Sequence, residues 1–107
     1  MASPQKEHGY TALANELVEA LAKTKISNAE QRILFCLFRK TYGFQKKDDY
    51  IPLSQFHEMT KIERRHICRA IKSLSKKNMI FIQKGYRKTK YQFNKNYENW
   101  GIRIVAK

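Results

Sequence analysis

Arg65, Arg69, Lys72 and Lys76 follow one another at intervals of four, three and four residues, a spacing that stacks four cations on one side of an α-helix. At the helical turn per residue, Ile67, Ala70, Ile71 and Leu74 lie within about 60° of one direction, and the four cations lie within about 40° of the opposite one. A helix over Glu63–Lys77 therefore offers one face to a core and the other to a polyanion. Its width suits the major groove of B-form DNA, where each base pair presents its own donor and acceptor pattern. A helix in that groove reads bases mainly from its first turns, which singles out Arg65, His66 and Arg69, with Arg64 at the flank. The planar arginine fork can make two parallel bonds to guanine O6 and N7. Lys72 and Lys76, further along, are placed for phosphate. The plain alternative is a solvated face, but a solvated helix usually mixes signs. This one has no acid after Glu63.

The charge of the chain is as one-sided as that helix. In 107 residues there are 22 Lys and Arg against 9 Asp and Glu, a formal net charge of +13. Residues 1–53 carry 8 basic and 6 acidic residues, while 54–107 carry 14 and 3. Within 61–90 there are 11 basic residues and a single acid, Glu63. Such a field points to nucleic acid or an anionic membrane surface. The longest apolar run, Ile33–Phe38, falls far short of the roughly 20 residues of a bilayer span. No charged-then-apolar leader opens the chain, and two cysteines make no disulfide scaffold, so a reduced, cytoplasmic protein is expected.

The elements needed to position this helix are legible in order. Residues 1–9 lack periodicity and read as a flexible arm, 10–100 as one domain and 101–107 as a tail. Leu13, Leu17 and Leu21, with Val18 beside them, mark a helix over Thr11–Lys23. Ser27 with Glu30 forms a capping box ahead of a strongly apolar, central helix, with Gly43 placed to end it in the left-handed conformation. Phe44–Tyr50 reads as a polar connection and Ile51–Leu53 as a short edge strand, because Pro52 cannot donate to a ladder. Ser54 then caps a short helix with Phe56 and Met59 inward, and Thr60–Ile62 is a turn. Met79–Ile82 and Lys90–Phe93 read as two strands joined by a basic tip around Gly85, which carries Lys84, Tyr86, Arg87, Lys88 and Lys90. Helix, tight turn, helix and hairpin make a winged helix-turn-helix, an α+β and mostly helical fold with an extra N-terminal helix. The wing lysines and Arg87, together with Lys61, are phosphate candidates, and Tyr86 could stack on or bond to the backbone.

No catalytic constellation stands out, and an enzyme is not expected. Cys36 sits in the most apolar helix. His66 and Cys68 are two apart on a helix and point to different sides, and His57 has no Cys-x-x-Cys partner, so no metal is expected. Asp48 and Asp49 read as a solvated turn. There is no glycine-rich phosphate loop and no cofactor is implied. Thirteen aromatics raise single-strand stacking, but Phe35, Phe38, Phe56, Phe81, Tyr91 and Phe93 follow core spacing.

Several motifs in order resemble a known family. Pro4-Gln5, Gly9-Tyr10-Thr11 and Ala14-Asn15-Glu16-Leu17 are followed by Arg39-Lys40-Thr41-Tyr42-Gly43-Phe44 with Lys46-Lys47 and Asp49. Leu53-Ser54-Gln55-Phe56, Glu58-Met59-Thr60 and Arg64-Arg65-His66 through Arg69-Ala70 come next. Tyr91-Gln92-Phe93-Asn94-Lys95, Tyr97 and Trp100 close the series. From Pro4 to Trp100 the chain resembles the phage replication protein O family. The resemblance implies the DNA-binding domain of a replication initiator that recognises repeated origin sites in the bacterial host cytoplasm, often as a homodimer. It further implies helicase loading through a C-terminal region that this chain has no room for, so a domain of a longer protein or a short relative is expected. Two positions depart from the family pattern. Lys61 stands where a turn glycine is usual, and Glu63 stands at the usual small hydroxyl cap. Glu63 suits a helix N-terminus and could accept from cytosine N4, which adds it to the base-reading set. Two other readings of the residues stay open: a winged-helix transcriptional regulator, and an adaptor whose basic face docks an acidic protein or lipid surface.

Overall fold

The computed structural model describes residues 2–101; Met1 and 102–107, and with them nearly all of the expected tail, lie outside the described residues. Four helices, α1 (Asn15–Lys23), α2 (Asn28–Lys40), α3 (Leu53–Thr60) and α4 (Arg64–Lys76), combine with three strands, β1 (Asp48–Tyr50), β2 (Ile80–Gly85) and β3 (Lys88–Phe93). The strands form one antiparallel sheet in the order β1-β3-β2. The architecture is α+β.

α2 is the hub because it is apolar nearly all round and securely started. Ser27 accepts from the Glu30 amide at 3.1 Å and Glu30 accepts from the Ser27 amide at 2.7 Å, the reciprocal capping box. Ile33, Leu34, Cys36, Leu37 and Phe38 are buried against α3, α4 and β3. The helix ends differently from the expectation. Thr41 turns its hydroxyl back to the Leu37 carbonyl at 2.7 Å, and Gly43 lies in a short 3-10 turn over Tyr42–Phe44. The left-handed residue is Gln45, at φ 59°. Gly43 is instead a point of close approach, since a Cβ there would sit 3.0 Å from Arg39 Nη1 and 3.1 Å from Thr11 Oγ1.

Other expectations need correction as well. α1 begins at Asn15, with Ala14 supplying the first carbonyl and no side-chain cap before it. Leu17 is buried, Ala20 and Leu21 pack beside it against the core, and Val18 is left half exposed. The strand expected at Ile51–Leu53 lies at Asp48–Tyr50, inside the expected polar connection, with Asp49 opposite Tyr91 and Tyr50 opposite Lys90. Pro52, lacking an N–H, serves as the N-cap of α3, so Ser54 is the second residue of that helix rather than its cap. Phe35 is largely exposed and Phe81 nearly half exposed, although core spacing had placed both inside, and Met59 is also nearly half exposed, with its sulfur 3.4 Å from Cys36 Sγ. Phe35 projects from the flank of α2 beside α1 and is left exposed among the described residues, and Phe81 alternates to the outer side of β2 while Ile80 points in.

The hairpin core is as expected. Tyr91 and Phe93 face inward, with Phe56 edge-on to Tyr91 at 5.3 Å and Phe38 edge-on to Phe93 at 4.8 Å. The strands run longer than the alternation suggested, leaving only Tyr86 and Arg87 as the turn between paired Gly85 and Lys88. Arg87 takes the left-handed conformation, φ 64°, so the tip glycine does not supply it. α4 closes with a Schellman motif. Asn78 at φ 61° donates to the Ser75 carbonyl, and Met79 donates to that of Leu74, with both Met79 and Leu74 fully buried.

Candidate nucleic-acid interface

The cationic helix is fixed from behind. Ile67 and Leu74 are fully buried and Ala70 and Ile71 nearly so, which orients α4 as its periodicity requires. The turn before it is held by side chains. Lys61 takes φ 64° and donates from its amide to the His57 carbonyl at 2.7 Å. Thr60 donates its hydroxyl to Phe56 and accepts from the Ile62 amide, while His57 Nδ1 lies 2.7 Å from the Ile62 carbonyl. Arg32 of α2 reaches across to donate to the Thr60 carbonyl. The departure from glycine at 61 is therefore accommodated by a lysine in left-handed geometry, at a cost of about 1 kcal/mol or more.

The residues expected to read bases do not form a single set. Glu63 is the N-cap of α4, and its Oε1 lies 3.4 Å from Arg65 Nε and 3.6 Å from His66 Nε2. All three side chains are largely exposed, so these pairs stabilise the free protein little and can be exchanged for other partners. His66 and Arg69 line a hollow of about 430 Å³ against Asn28 and Arg32 of α2. Arg64 stands on the other side. It lines a cleft of about 650 Å³ with Ser54, Lys84, Arg87 and Lys88. Lys72 and Lys76 continue the exposed ridge of α4.

On the hairpin, Lys84, Arg87 and Lys88 are exposed and Lys90 is half-buried. Tyr86 is 83% exposed, with the Arg87 guanidinium 5.3 Å from its ring centroid. Sequence reasoning missed Tyr50. Its ring lies under the ammonium groups of Lys88 at 4.4 Å and Lys90 at 5.0 Å. The available signal was one aromatic at the end of a polar stretch, too little to foresee strand pairing.

The same reasoning also missed a buried ion pair. Lys77, just past α4, donates to both oxygens of Glu30 at 3.0 and 2.9 Å and ties the start of α2 to the end of α4. Burial alone would raise the Glu30 carboxyl, but the Ser27 amide, the Ser73 hydroxyl and Lys77 together hold it below its ordinary value. Burial pushes the Cys36 thiol up to about 11, so it is neutral and unreactive at neutral pH. Among the described residues no cluster of three or more His, Cys, Asp or Glu is placed to hold a metal ion, and no helix is long and apolar enough to cross a membrane.

A small α+β domain with a one-sided cationic helix-and-hairpin face is thus the class these residues define. Residues 3–100 match the family described as bacteriophage replication protein O, and the chain belongs to that family. It is 33% identical over 96 residues to replication protein O of Escherichia phage lambda, covering 90% of this chain and 28% of that protein. To replication protein 15 of Enterobacteria phage phi80 it is 32% identical over 77 residues, covering 72% of this chain and 26% of that one. To DNA replication protein gp18 of Salmonella phage P22 the identity is 41% over 54 residues, half of this chain and 20% of that one. The chain thus spans about a quarter of the length of these relatives. Its backbone is also similar to Bordetella bronchiseptica BpsR, whose structure concerns how 6-hydroxynicotinic acid regulates DNA binding. The TM-score is 0.52 over 78% of this chain and 63% of that one, at 14% identity, a likeness of fold alone.

Proposed function

We propose that this chain is a sequence-specific, double-stranded DNA-binding domain of winged-helix type that recognises repeated sites at a phage replication origin. The observation that carries the reading is the exposed cations of α4, with those of the hairpin beside Arg64 in one cleft, backed by a helix face that is wholly apolar. On this reading α3 and α4 are the helix-turn-helix and β2–β3 the wing. Arg65 and Arg69 read bases with help from His66 and Glu63, and Lys61, Lys72, Lys76, Lys84, Arg87 and Lys88 hold phosphates. The domain acts by binding in the host cytoplasm, with no catalytic step. Any contact with helicase-loading proteins is expected outside the quarter of the relatives' length that the chain spans.

We propose further that a homodimer forms through the flank shared by α1 and α2. Phe35, 67% exposed, stands beside a hollow of about 240 Å³ lined by Leu13, Leu21, Ile26 and Phe38. Ridge and hollow on one patch are what a two-fold, self-complementary contact needs. Phe35→Ser should abolish any dimer seen by sedimentation without altering the fold.

The test is fluorescence anisotropy with the source phage's origin repeats and a scrambled duplex, each at two salt concentrations. Tighter origin binding that survives the higher salt supports a base-reading initiator. Equal binding that collapses with salt overturns sequence recognition and leaves a basic adaptor surface. A second reading, transcriptional regulation, uses the same face and predicts that promoter sites outcompete origin repeats.

A further inference from the structure

The cleft between the hairpin and the starts of α3 and α4 collects cations with nothing to neutralise them. Arg64, Lys84, Arg87 and Lys88 line it, Ser54 adds a hydroxyl, and no acidic side chain is among its lining residues. None of the four cations makes a salt bridge among the described residues, whereas Arg65 and His66, on the same helix, share Glu63. Four like charges around about 650 Å³ form a field that an extended polyanion relieves better than a small ion does. Ile51 and Tyr91, both buried, also line the cleft and bring no acid to it.

At its edge lies Tyr50. Two lysine ammonium groups rest over one ring, which restricts side chains that would otherwise sample many rotamers. Cations ordered before a partner arrives lose less freedom on binding it. We infer that this cleft seats the phosphodiester backbone of one DNA strand, that Arg64 serves the backbone there rather than a base edge, and that Tyr50 is the positioning residue that holds Lys88 and Lys90 beside it. The inference rests on the DNA-binding reading above.

The experiment measures anisotropy of the whole chain against the origin-repeat duplex and the scrambled duplex through a salt titration. Thermal melting serves as a check on folding, and Tyr50 is exposed enough to be replaced. Tyr50→Ala should weaken both duplexes alike, about three- to tenfold, and flatten the salt dependence. Tyr50→Phe, which keeps the ring, should bind as the unaltered protein does. In a Lys88→Gln, Lys90→Gln background, Tyr50→Ala should cause no further loss. Arg64→Ala should weaken both duplexes equally. Unchanged binding by Tyr50→Ala, or a loss that persists without the two lysines, overturns the positioning role. A change in the origin-to-scrambled ratio on Arg64→Ala overturns the backbone seat. If the unaltered chain binds neither duplex, the DNA-binding reading itself has failed, and that is seen before any variant is made.

Discussion

Lys77 and the cations that precede it in α4 have the same chemistry and opposite fates. Lys77 is drawn into the protein, with both Glu30 oxygens within 3.0 Å, and locks two helices together. Arg64, Lys72 and Lys76 find no acid among the described residues and stay in solvent. Basic residues are thus divided into a few that hold the fold, Lys77 and Arg32 among them, and many that stay in solvent. The net charge of +13 does not reveal that division, because it depends on which acids come within reach.

The largest effect should come from breaking the internal pair. Glu30→Ala removes the carboxylate half of the α2 capping box and leaves Lys77 without its partner, and should cost about 3 kcal/mol in a urea melt. DNA discrimination, measured under conditions where the variant is folded, should be unchanged. The pair also sets an acid limit. Because the folded carboxyl lies below its ordinary value of 4.5, the folded state binds fewer protons than the unfolded one as pH falls. The stability from Glu30 is therefore complete above that value and is lost as pH drops through the folded one. Glu30→Gln should lose this acid-dependent portion of the unfolding profile.

The opposite side of the comparison is tested next. Arg65→Ala should cost about 1–3 kcal/mol at the cognate site and blur specificity in competition binding, with stability nearly unchanged because its ion pair with Glu63 is exposed. A more modest effect, opposite in sign for folding and binding, is expected at the hairpin turn. Arg87→Gly relieves a left-handed residue and should raise stability by about 0.5–1 kcal/mol while weakening all duplexes. A loss of stability instead would remove the contrast between residues held for the fold and residues held for a partner. Smallest of all, Lys88→Ala should lower the salt slope by about one and leave the melting curve where it was.

How much of this was legible follows the range of the interactions. The capping box of α2 and the stripe of α4 were readable because their partners lie within four residues. The compact apolar run Met79–Ile82 marked β2, and the inward pair Tyr91 and Phe93 marked β3 by alternation. β1 was not readable, since Asp48-Asp49-Tyr50 has no strand character of its own and becomes a strand by pairing with β3 some forty residues later. Phe35 misled because α2 is apolar on nearly every side, and periodicity cannot say which flank is left uncovered. The candidate site divided in the same way. The ridge of Arg65, Arg69, Lys72 and Lys76 is a property of one helix, whereas the separation of Arg64 from it, and the place of Tyr50 beneath two lysines, arise where separate elements meet.

By itself, then, the sequence determined the helices, the hairpin and the cationic face of α4, because helical and strand periods and caps act between near neighbours. The tertiary structure alone decided which cation was consumed by Glu30, which cleft Arg64 joined and where β1 lay. Each depended on side chains far apart in the chain meeting across a packed core, and no local pattern encodes that.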